Sequence, residues 1–220
     1  MKLGNNLYFY PEQGMLDCNT YVIGGKPGII IDPGNPEYID SRVSGMKQDG
    51  IEPEDIGIIV NTHLHIDHCG ANEAFKKLSG GKIAMHPVQK ENFQLVVVDG
   101  ARLFGMEPRG FAEDYLLEGT TLGNNDVQLE MIKSPGHSPD CVCFYNRQDK
   151  VLICGDVIFE MNTGRVDLPG GNAGDLKKSI EALSHLDIET LLPGHMGIVS
   201  GAGKVTANFD FIKMNVFEWL

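Results

Sequence analysis

An apolar run followed at once by histidines and an aspartate is the feature that most constrains how this chain folds. Residues 56–60, IGIIV, have the pattern of a buried strand, and residues 61–70 are NTHLHIDHCG. His63, His65, Asp67 and His68 therefore lie directly behind that strand. Buried polar side chains need partners that offset their desolvation. The segment indicates side chains gathered around a common partner such as a metal ion.

Three more apolar strands end in a tight turn that is followed by one ligand-type residue. The segments IKSPGH, LICGD and LLPGH add His137, Asp156 and His195. Loops at one edge of a scaffold are where functional side chains are displayed, so we expect all seven residues to meet. If the backbone of HLHID stays extended, side chains 63, 65 and 67 point one way, and His68 turns aside as the next helix begins.

The ligand types predict which metals would bind. Imidazole and carboxylate ligands without thiolate suit Zn, Fe or Mn, and incomplete coordination by protein leaves a position for water. Seven ligands are enough for two neighbouring ions. We expect divalent ions, of which Zn is the first choice and Fe or Mn the alternatives, and two of them can share this cluster.

Strand-length apolar runs alternate with segments of helical period, without an intervening linker or repeat, which predicts one α/β (α+β) domain over residues 1–220. Strands are predicted at residues 7–10, 20–23, 28–31, 56–60, 82–85, 127–132, 141–145, 151–154 and 189–192. Helices are predicted from Pro36 to before Gly50, with Asn35 as cap and a stripe of Ile39, Val43 and Met46, and at residues 72–78, 89–104, 175–186 and 205–220. Residues 99–122 have no firm period and are predicted to form a lid or a loop that faces the substrate. Two facing sheets with helices outside, a four-layer αββα sandwich, satisfy this order, as other α/β arrangements also do.

Charge and composition exclude several classes of partner. The chain has 18 Lys and Arg against 30 Asp and Glu, a formal net charge of −12 that repels nucleic-acid phosphates. The N-terminal stretch lacks the apolar core of a secretory signal, and no run of about 18 apolar residues predicts a membrane span. We therefore expect a cytoplasmic protein with no nucleic-acid or membrane partner. The five scattered cysteines are expected to be reduced thiols.

Other conspicuous residues have ordinary structural interpretations. His86 and His185 are expected to cap a helix or lie on the surface, and Cys141 and Cys143 are expected to pack in the core. Arg165 either pairs with Asp167 or contacts substrate. The apolar segment 209–220 is expected to pack onto the domain, with a homo-oligomer contact as the alternative.

The ordered set of ligands resembles a known family. HxHxDH followed by the three later ligands is similar to the metallo-β-lactamase fold superfamily over nearly the whole chain. The resemblance implies the αββα fold and assigns His63, His65 and His137 to one metal and Asp67, His68 and His195 to the second, with Asp156 bridging. It also implies that Asp32, in GIIIDPG, supports the site without binding metal.

A longer match narrows the resemblance. GDVIFEMNTGRVDLPGG, residues 155–171, is similar to a segment of single-domain, glyoxalase II-like hydrolases, in which a basic residue at the position of Arg165 lies near the bound thioester. The chain ends soon after His195, so we expect it to lack the helical domain with which two-domain glyoxalases II bind glutathione.

The resemblance implies hydrolysis of a small acyl-thioester. A pair of ions lowers the pKa of a bridging water from about 16 to near 7 and polarises the carbonyl. Asp67 is expected to accept a hydrogen bond from the resulting hydroxide, and Arg165 to attract a substrate carboxylate. A thiolate leaves with little protonation help because its parent thiol has a pKa of about 8.5.

Several rival functions share much of this pattern. One is a persulfide dioxygenase with a single Fe at His63, His137 and Asp156, and another is a lactonase, phosphodiesterase or other ester hydrolase of the same fold. A secreted β-lactamase is disfavoured by the missing signal peptide and by Asp156, which stands where many of those enzymes have a cysteine. A non-catalytic metal-binding module is the remaining alternative, disfavoured by the complete set of ligands.

Overall fold

The first half of the chain builds a seven-stranded sheet. The computed structural model describes residues 1–4, 6–103, 105–108 and 110–220. The strands are β1 (Lys2–Gly4), β2 (Leu7–Tyr10), β3 (Thr20–Ile23), β4 (Gly28–Ile31), β5 (Ile56–Val60), β6 (Lys82–Met85) and β7 (Tyr115–Leu116), and they lie side by side in chain order. The strands from β1 to β4 form an antiparallel meander, and those from β4 to β7 are parallel.

The second half builds a six-stranded sheet and a short hairpin. The sheet strands are β8 (Thr121–Gly123), β9 (Gln128–Lys133), β10 (Val142–Asn146), β11 (Val151–Gly155), β14 (Thr190–Pro193) and β15 (Val199–Ser200), and the hairpin strands are β12 (Ile158–Phe159) and β13 (Asn162–Thr163). The order across the sheet is β15-β14-β11-β10-β9-β8, and only the β11–β14 pair is parallel. Both parallel regions direct their strand ends toward the ligand-bearing loops.

Helices cover the outer faces of both sheets. They are α1 (Ile39–Gln48), α2 (Ile66–Cys69), α3 (Asn72–Ser79), α4 (Pro87–Phe93), α5 (Gly100–Leu103), α6 (Ala173–Leu183) and α7 (Ala202–Asn215). A 3₁₀ turn, Pro36–Tyr38, precedes α1, and a π-helical segment, Gln94–Asp99, joins α4 to α5. The Asn35 and Asn172 side chains accept hydrogen bonds from Glu37 N and Asp175 N, as N-cap residues do.

Three hydrophobic clusters separate four layers. The central cluster joins inward residues of both sheets, among them Tyr21, Ile31, Val60, Phe144, Ile153 and Leu192. One outer cluster packs Met46 of α1 and Phe75 of α3 against Ile30 and Ile59, and the other packs α6 and α7 against the second sheet. Each sheet is therefore covered on both faces, which explains its nearly continuous apolar strands. The predicted four-layer αββα sandwich is confirmed.

Most predicted elements are present with shifted ends, and some predictions were wrong. The helix predicted at residues 89–104 is instead α4, a π-helical segment and α5, and its predicted end at Phe104 lies outside the described residues. Six short strands, β1, β7, β8, β12, β13 and β15, were not predicted. The extended backbone expected through Asp67 is wrong, because α2 begins at Ile66 and Asp67 lies in its first turn. The lid at residues 99–122 stays a prediction.

Helix α1 buries a charge that its apolar stripe did not predict. Met46 is buried as expected and Ile39 and Val43 are half-buried, but Arg42 is also fully buried. Its Nη2 donates to both carboxylate oxygens of Asp17, at 3.0 and 2.9 Å. This ion pair anchors the loop after β2 to α1.

The C-terminal segment packs largely onto the domain. Helix α7 buries Val205, Phe209 and Ile212 against the second sheet, and it ends at Asn215 rather than continuing to residue 220 as predicted. Trp219 is 86% exposed, so a homo-oligomer contact there stays a prediction. Among the described residues, no helix has the length and hydropathy needed to cross a membrane.

Candidate metal centre

The loops that follow four strands bring all seven predicted ligands into one cluster. His63, His65, Asp67 and His68 follow β5, His137 follows β9, Asp156 follows β11, and His195 follows β14. Their ligand atoms form three overlapping groups, each within 4.8 Å: His63, His65 and His137; His63, His68 and Asp156; and Asp67, His68 and His195. The residues that sequence spacing predicted to converge therefore do so.

Three imidazoles form one side of the cluster. Nδ1 of His65 lies 3.0 Å from Nε2 of His63 and 2.9 Å from Nε2 of His137. Burial and neighbouring histidines hold the pKa of His63 well below its usual range and lower the pKa of His65 to about 3. Burial also lowers the pKa of His137. Neutral imidazole is the form that binds a metal, so these rings are ready to act as ligands.

Two carboxylates and two imidazoles form the other side. Nε2 of His195 lies 3.3 Å from Oδ2 of Asp67 and 3.4 Å from Oδ2 of Asp156. Oδ2 of Asp156 is also 3.5 Å from Nε2 of His137, and its Oδ1 is 3.3 Å from Nε2 of His68. Asp156 thus lies between the two sides of the cluster, where a bridging ligand is expected.

The electrostatics of this side favour bound positive charge. Burial would raise the pKa of Asp156, but the neighbouring histidines, His68 first, hold it well below its usual range. Burial would likewise lower the pKa of His195, but hydrogen bonds with Asp156 and Asp67 raise it to about 10. The carboxylates are therefore ionised and stabilise a cation between them.

Hydrogen bonds from outside the cluster orient the four rings that present Nε2. Nδ1 of His68 donates to Oδ2 of Asp32 at 3.0 Å. Nδ1 of His137 donates to the backbone carbonyl of Arg165 at 2.7 Å. Nδ1 of His195 donates to Oε2 of Glu12 at 2.7 Å. Nδ1 of His63 lies 3.2 Å from the Thr62 hydroxyl, which donates to Asp32. These partners keep a proton on Nδ1, so a metal ion that binds Nε2 displaces any proton there and meets the lone pair facing the cluster, which is the arrangement of metal-binding histidines.

Two atoms inside the cluster have no hydrogen-bonding partner. Nε2 of His68 and Oδ1 of Asp156 are both buried, and neither makes a hydrogen bond within the described residues, although the two atoms lie 3.3 Å from each other. Buried polar atoms are nearly always satisfied, so orphans in a native fold need an explanation. A metal ion provides one, and the donor set of imidazoles and carboxylates fits Zn, Fe or Mn. The cluster can therefore bind metal ions.

Glycine makes the close approach of the loops to the cluster possible. A Cβ on Gly194 would overlap Oδ1 of Asp156 and lie 2.7 Å from Cε1 of His68. Any side chain at this position would displace the two residues that hold the orphaned atoms. The PGH turn before His195 thus needs glycine for steric reasons.

Sequence reasoning missed several residues that hold the site. Glu12, after β2, has no spacing relation to His195, so nothing in the sequence identified it. Asp140 accepts a hydrogen bond from Leu64 N at 2.9 Å and fixes the HLHID loop, and its place shortly after His137 was the only available hint. Cys18 lies beside Asp32 and His68, but burial raises the pKa of its thiol to about 12, so it stays protonated.

The remaining candidates have the structural roles that were expected as alternatives. Arg165 donates to both oxygens of Asp167 at 2.6 Å, so the expected pair forms, at the edge of the cleft. His86 caps α4 by accepting from Val88 N, and His185 is exposed. All five cysteines are free and buried, and Cys141 and Cys143 pack in the core.

The cluster lies in a cleft of about 480 Å³. His65, Asp67, His137, Asp156 and His195 line it together with Arg165, and most of the other lining side chains are apolar. This is within the size range of small-molecule sites. The cluster is therefore accessible to a substrate from one side.

Comparisons with known proteins agree with the fold and the cluster. A sequence model of the Metallo-beta-lactamase superfamily matches residues 14–195. "Probable metallo-hydrolase YqgX" of Bacillus subtilis is 32% identical over 196 residues, which cover 88% of this chain and 88% of that protein. "Acyl-coenzyme A thioesterase MBLAC2" of Gallus gallus is 28% identical over an alignment 230 residues long, which covers 89% of this chain and 79% of that protein.

Solved structures show the same similarity. The BLEG-1 B3 metallo-beta-lactamase is 26% identical, with a TM-score of 0.78 over 94% of this chain and 99% of that chain. TTHA1623, crystallised in a di-iron-bound form, is also 26% identical, with a TM-score of 0.74 over 90% of this chain and 98% of that chain.

Proposed function

Because the chain belongs to the metallo-beta-lactamase superfamily, we propose that it is a metal-dependent hydrolase that cleaves a small acyl-thioester. The observation that carries the proposal is the cluster itself, in which ring nitrogens and orphaned polar atoms converge beside an open cleft. When bound, divalent ions lower the pKa of a water to near neutrality and polarise a carbonyl. This chemistry needs no serine or cysteine nucleophile, and the cysteines are buried.

We propose that two ions bind, one at His63, His65 and His137 and the other at Asp67, His68 and His195, with Asp156 shared. Two of the three groups of ligands have no residue in common, which supports this number, because each of the two has three ligands within 4.8 Å of one another. The donor set suits Zn, and the di-iron form of TTHA1623 makes Fe the first alternative.

Asp67 has the position of a residue that holds the proton of the nucleophile. Its carboxylate lines the cleft, and His195 and His68 keep it ionised against the effect of burial. It can therefore accept a hydrogen bond from an attacking water on the cleft side. The backbone carbonyl of Arg165 fixes the His137 ring, whereas its guanidinium lies at the edge of the cleft. We propose that this guanidinium attracts a carboxylate on the thiol carrier in competition with Asp167.

A thioester fits this site better than an amide or alkyl phosphodiester. Among the described residues that line the cleft, no side chain outside the ligand set is placed as a general acid for a poor leaving group. A thiolate leaves without such help because its parent thiol has a pKa of about 8.5. The chicken relative is named as an acyl-coenzyme A thioesterase, which supports this choice.

The test combines metal content with turnover on one sample purified without added metal. We expect about two Zn, or mixed Zn and Fe, per chain, the number of ions that a two-metal site holds. We also expect hydrolysis of lactoylglutathione or of simple acyl-thioesters. A single Fe per chain with persulfide-dependent O₂ uptake would replace the hydrolase with a dioxygenase. Metal-replete protein that hydrolyses lactones but no thioester would move the proposal to the lactonase alternative.

We also propose that the protein works in a reducing compartment such as the cytoplasm. Its five cysteines are all free thiols, as is usual where glutathione keeps thiols reduced. Fractionation of cells followed by detection of the protein would test this, and recovery from an oxidising compartment would contradict it.

A further inference from the structure

The cleft beside the metal cluster has an apolar half that the proposed chemistry does not use. We call this half the apolar trough; its residues are Leu16, Val96, Val97, Ala101, Leu168 and Met196. Val96, Val97 and Ala101 lie on the π-helical segment and α5, and they are at most 4% exposed. Leu16 and Met196 at the mouth are 45% and 52% exposed. A wall of buried aliphatic side chains thus continues into exposed apolar residues at the entrance.

Packing between the two sides of the trough defines its shape. A Cβ on Gly170 would lie 2.9 Å from Leu95 Cδ2 and 2.8 Å from Pro139, so the turn that carries Leu168 contacts the helical wall directly. Gly171 N donates to the Leu168 carbonyl at 2.9 Å and closes that turn. The two sides of the trough are therefore packed against each other at this turn.

Polar groups are scarce in the trough. Among the described residues that line the cleft, Thr163 and Arg165 are the only ones outside the metal ligands that have a polar side chain. Nε and Nη2 of Arg165 already donate hydrogen bonds to the Asp167 carboxylate, both at 2.6 Å. A hydroxyl or carboxylate placed in the trough would lose water without gaining a partner, which is unfavourable. An aliphatic chain would lose no hydrogen bond and would bury its own apolar surface.

We propose that the apolar trough is the acyl subsite and that the enzyme prefers unbranched aliphatic acyl groups to acetyl or hydroxyacyl groups. This inference rests on the proposed thioester hydrolysis and names its substrate class. Five of the seven ligands line the same cleft as the trough, so an acyl chain in the trough can present its carbonyl carbon to the cluster. The carboxylate that Arg165 is proposed to attract then belongs to the thiol carrier and not to the acyl group.

The test uses one neutral carrier so that only the acyl group changes. Acetyl, butyryl, hexanoyl, octanoyl and D-lactoyl thioesters of N-acetylcysteamine are hydrolysed by the metal-replete protein, and kcat/KM is measured for each. We expect kcat/KM to rise roughly fourfold for each methylene group that the trough buries, and lactoyl to be slower than butyryl. A flat or falling series, or lactoyl as the best substrate, would overturn the inference while leaving thioester hydrolysis intact. No turnover of any thioester would instead refute the proposed function.

Two variants connect the preference to the trough. Leu16→Gln places an amide at the mouth, and its control is Leu78→Gln on α3, whose leucine is 46% exposed against 45% for Leu16. We expect Leu16→Gln to lower the octanoyl-to-acetyl ratio of kcat/KM about fivefold or more, since several buried methylenes lose contact, and Leu78→Gln to leave the ratio unchanged. Ala101→Phe fills the trough and should move the optimum to a shorter chain. Equal ratios in Leu16→Gln and Leu78→Gln would place the acyl chain elsewhere, even if Ala101→Phe fails to fold.

Discussion

Glu12 and His195 are 183 positions apart in the chain, and Oε2 of Glu12 lies 2.7 Å from Nδ1 of His195. The other oxygen of Glu12 accepts a hydrogen bond from the Met196 amide at 3.1 Å. The carboxylate thereby keeps the proton on Nδ1 and turns Nε2 toward Asp67 and Asp156. Glu12 is a positioning residue for this side of the cluster, although it touches none of the other ligands.

We predict that Glu12→Ala weakens binding of the metal ion proposed to lie at Asp67, His68 and His195 about 10- to 100-fold, the usual effect of losing the partner of a metal-binding histidine. Competition with a chelator of known affinity measures this without reference to turnover. Glu130→Ala is the matched control, because the Glu130 side chain is 37% exposed against 36% for Glu12 and is paired with Arg147 away from the cluster. Equal metal affinity in the two variants would mean that Glu12 does not position His195.

The second prediction concerns Gly194 and follows from steric overlap alone. Gly194→Ala should displace Asp156 and His68, because the new Cβ would overlap Oδ1 of Asp156. A small misplacement of reacting groups costs roughly 100-fold in rate, and we expect a loss of that size together with reduced metal content. Gly197→Ala is the control, since a Cβ there meets no atom within 4 Å. Normal metal content and turnover in Gly194→Ala would show that the site tolerates the overlap.

The ligands could be predicted from the sequence because each follows a strand that the apolar pattern makes recognisable. In LLPGH, for example, the apolar run and the Pro-Gly turn place His195 just after β14, and both are recognisable without any other part of the chain. The same periodicity located α3 and α6 to within a few residues. Local pattern was sufficient wherever the chemistry and the strand were adjacent in sequence.

The remaining features depend on contacts between distant segments, which local pattern does not encode. Glu12 and Asp17 lie in a loop without period, and their partners His195 and Arg42 are identified only by the folded chain. The apolar pattern predicted one helix over residues 89–104 and did not show the change to π-helical hydrogen bonds at Gln94–Asp99. The helical position of Asp67 was missed because α2 is only one turn long, which is too short to leave a periodic apolar pattern in the sequence.

Arg165 provides a prediction that separates substrate contact from structural pairing. Its backbone carbonyl orients His137, so Arg165→Met removes only the guanidinium. Exposed ion pairs contribute about 0.2–1 kcal/mol, so we expect KM for lactoylglutathione, which bears carboxylates, to rise roughly two- to fivefold. KM for a neutral N-acetylcysteamine thioester should not change. The control is Arg147→Met, because Arg147 is paired in the same two-point manner with Glu130 outside the cleft. A similar change in KM for both thioesters would argue against recognition of a carboxylate.

The buried Arg42–Asp17 pair predicts a large loss of stability when it is broken. Both side chains are 0% exposed, and Asp17 also accepts hydrogen bonds from the Asn35 and Gln13 amides. Arg42→Met leaves an unpaired buried carboxylate, so we expect the free energy of unfolding in urea to fall by about 3–5 kcal/mol. Lys47→Met, which breaks the exposed pair with Glu52, should cost at most about 1 kcal/mol. Similar losses in the two variants would indicate that Asp17 finds other partners.

Removal of metal should reveal how much of the fold's stability depends on the cluster. His68 Nε2 and Asp156 Oδ1 are buried without hydrogen bonds, so the metal-free cluster leaves polar atoms unsatisfied that a bound ion would satisfy. Binding at a thousandfold excess over Kd stabilises the folded state by about 4 kcal/mol, which for a chain of this length raises Tm by roughly 8–16 °C. We therefore expect EDTA to lower Tm by that amount and added Zn to restore it.

His195→Ala should lose part of this shift, whereas His185→Ala, a change at an exposed histidine outside the cluster, should keep all of it. If Zn leaves Tm unchanged in the unsubstituted protein, the cluster does not bind that ion tightly, and the same titration with Fe or Mn then decides which metal it holds.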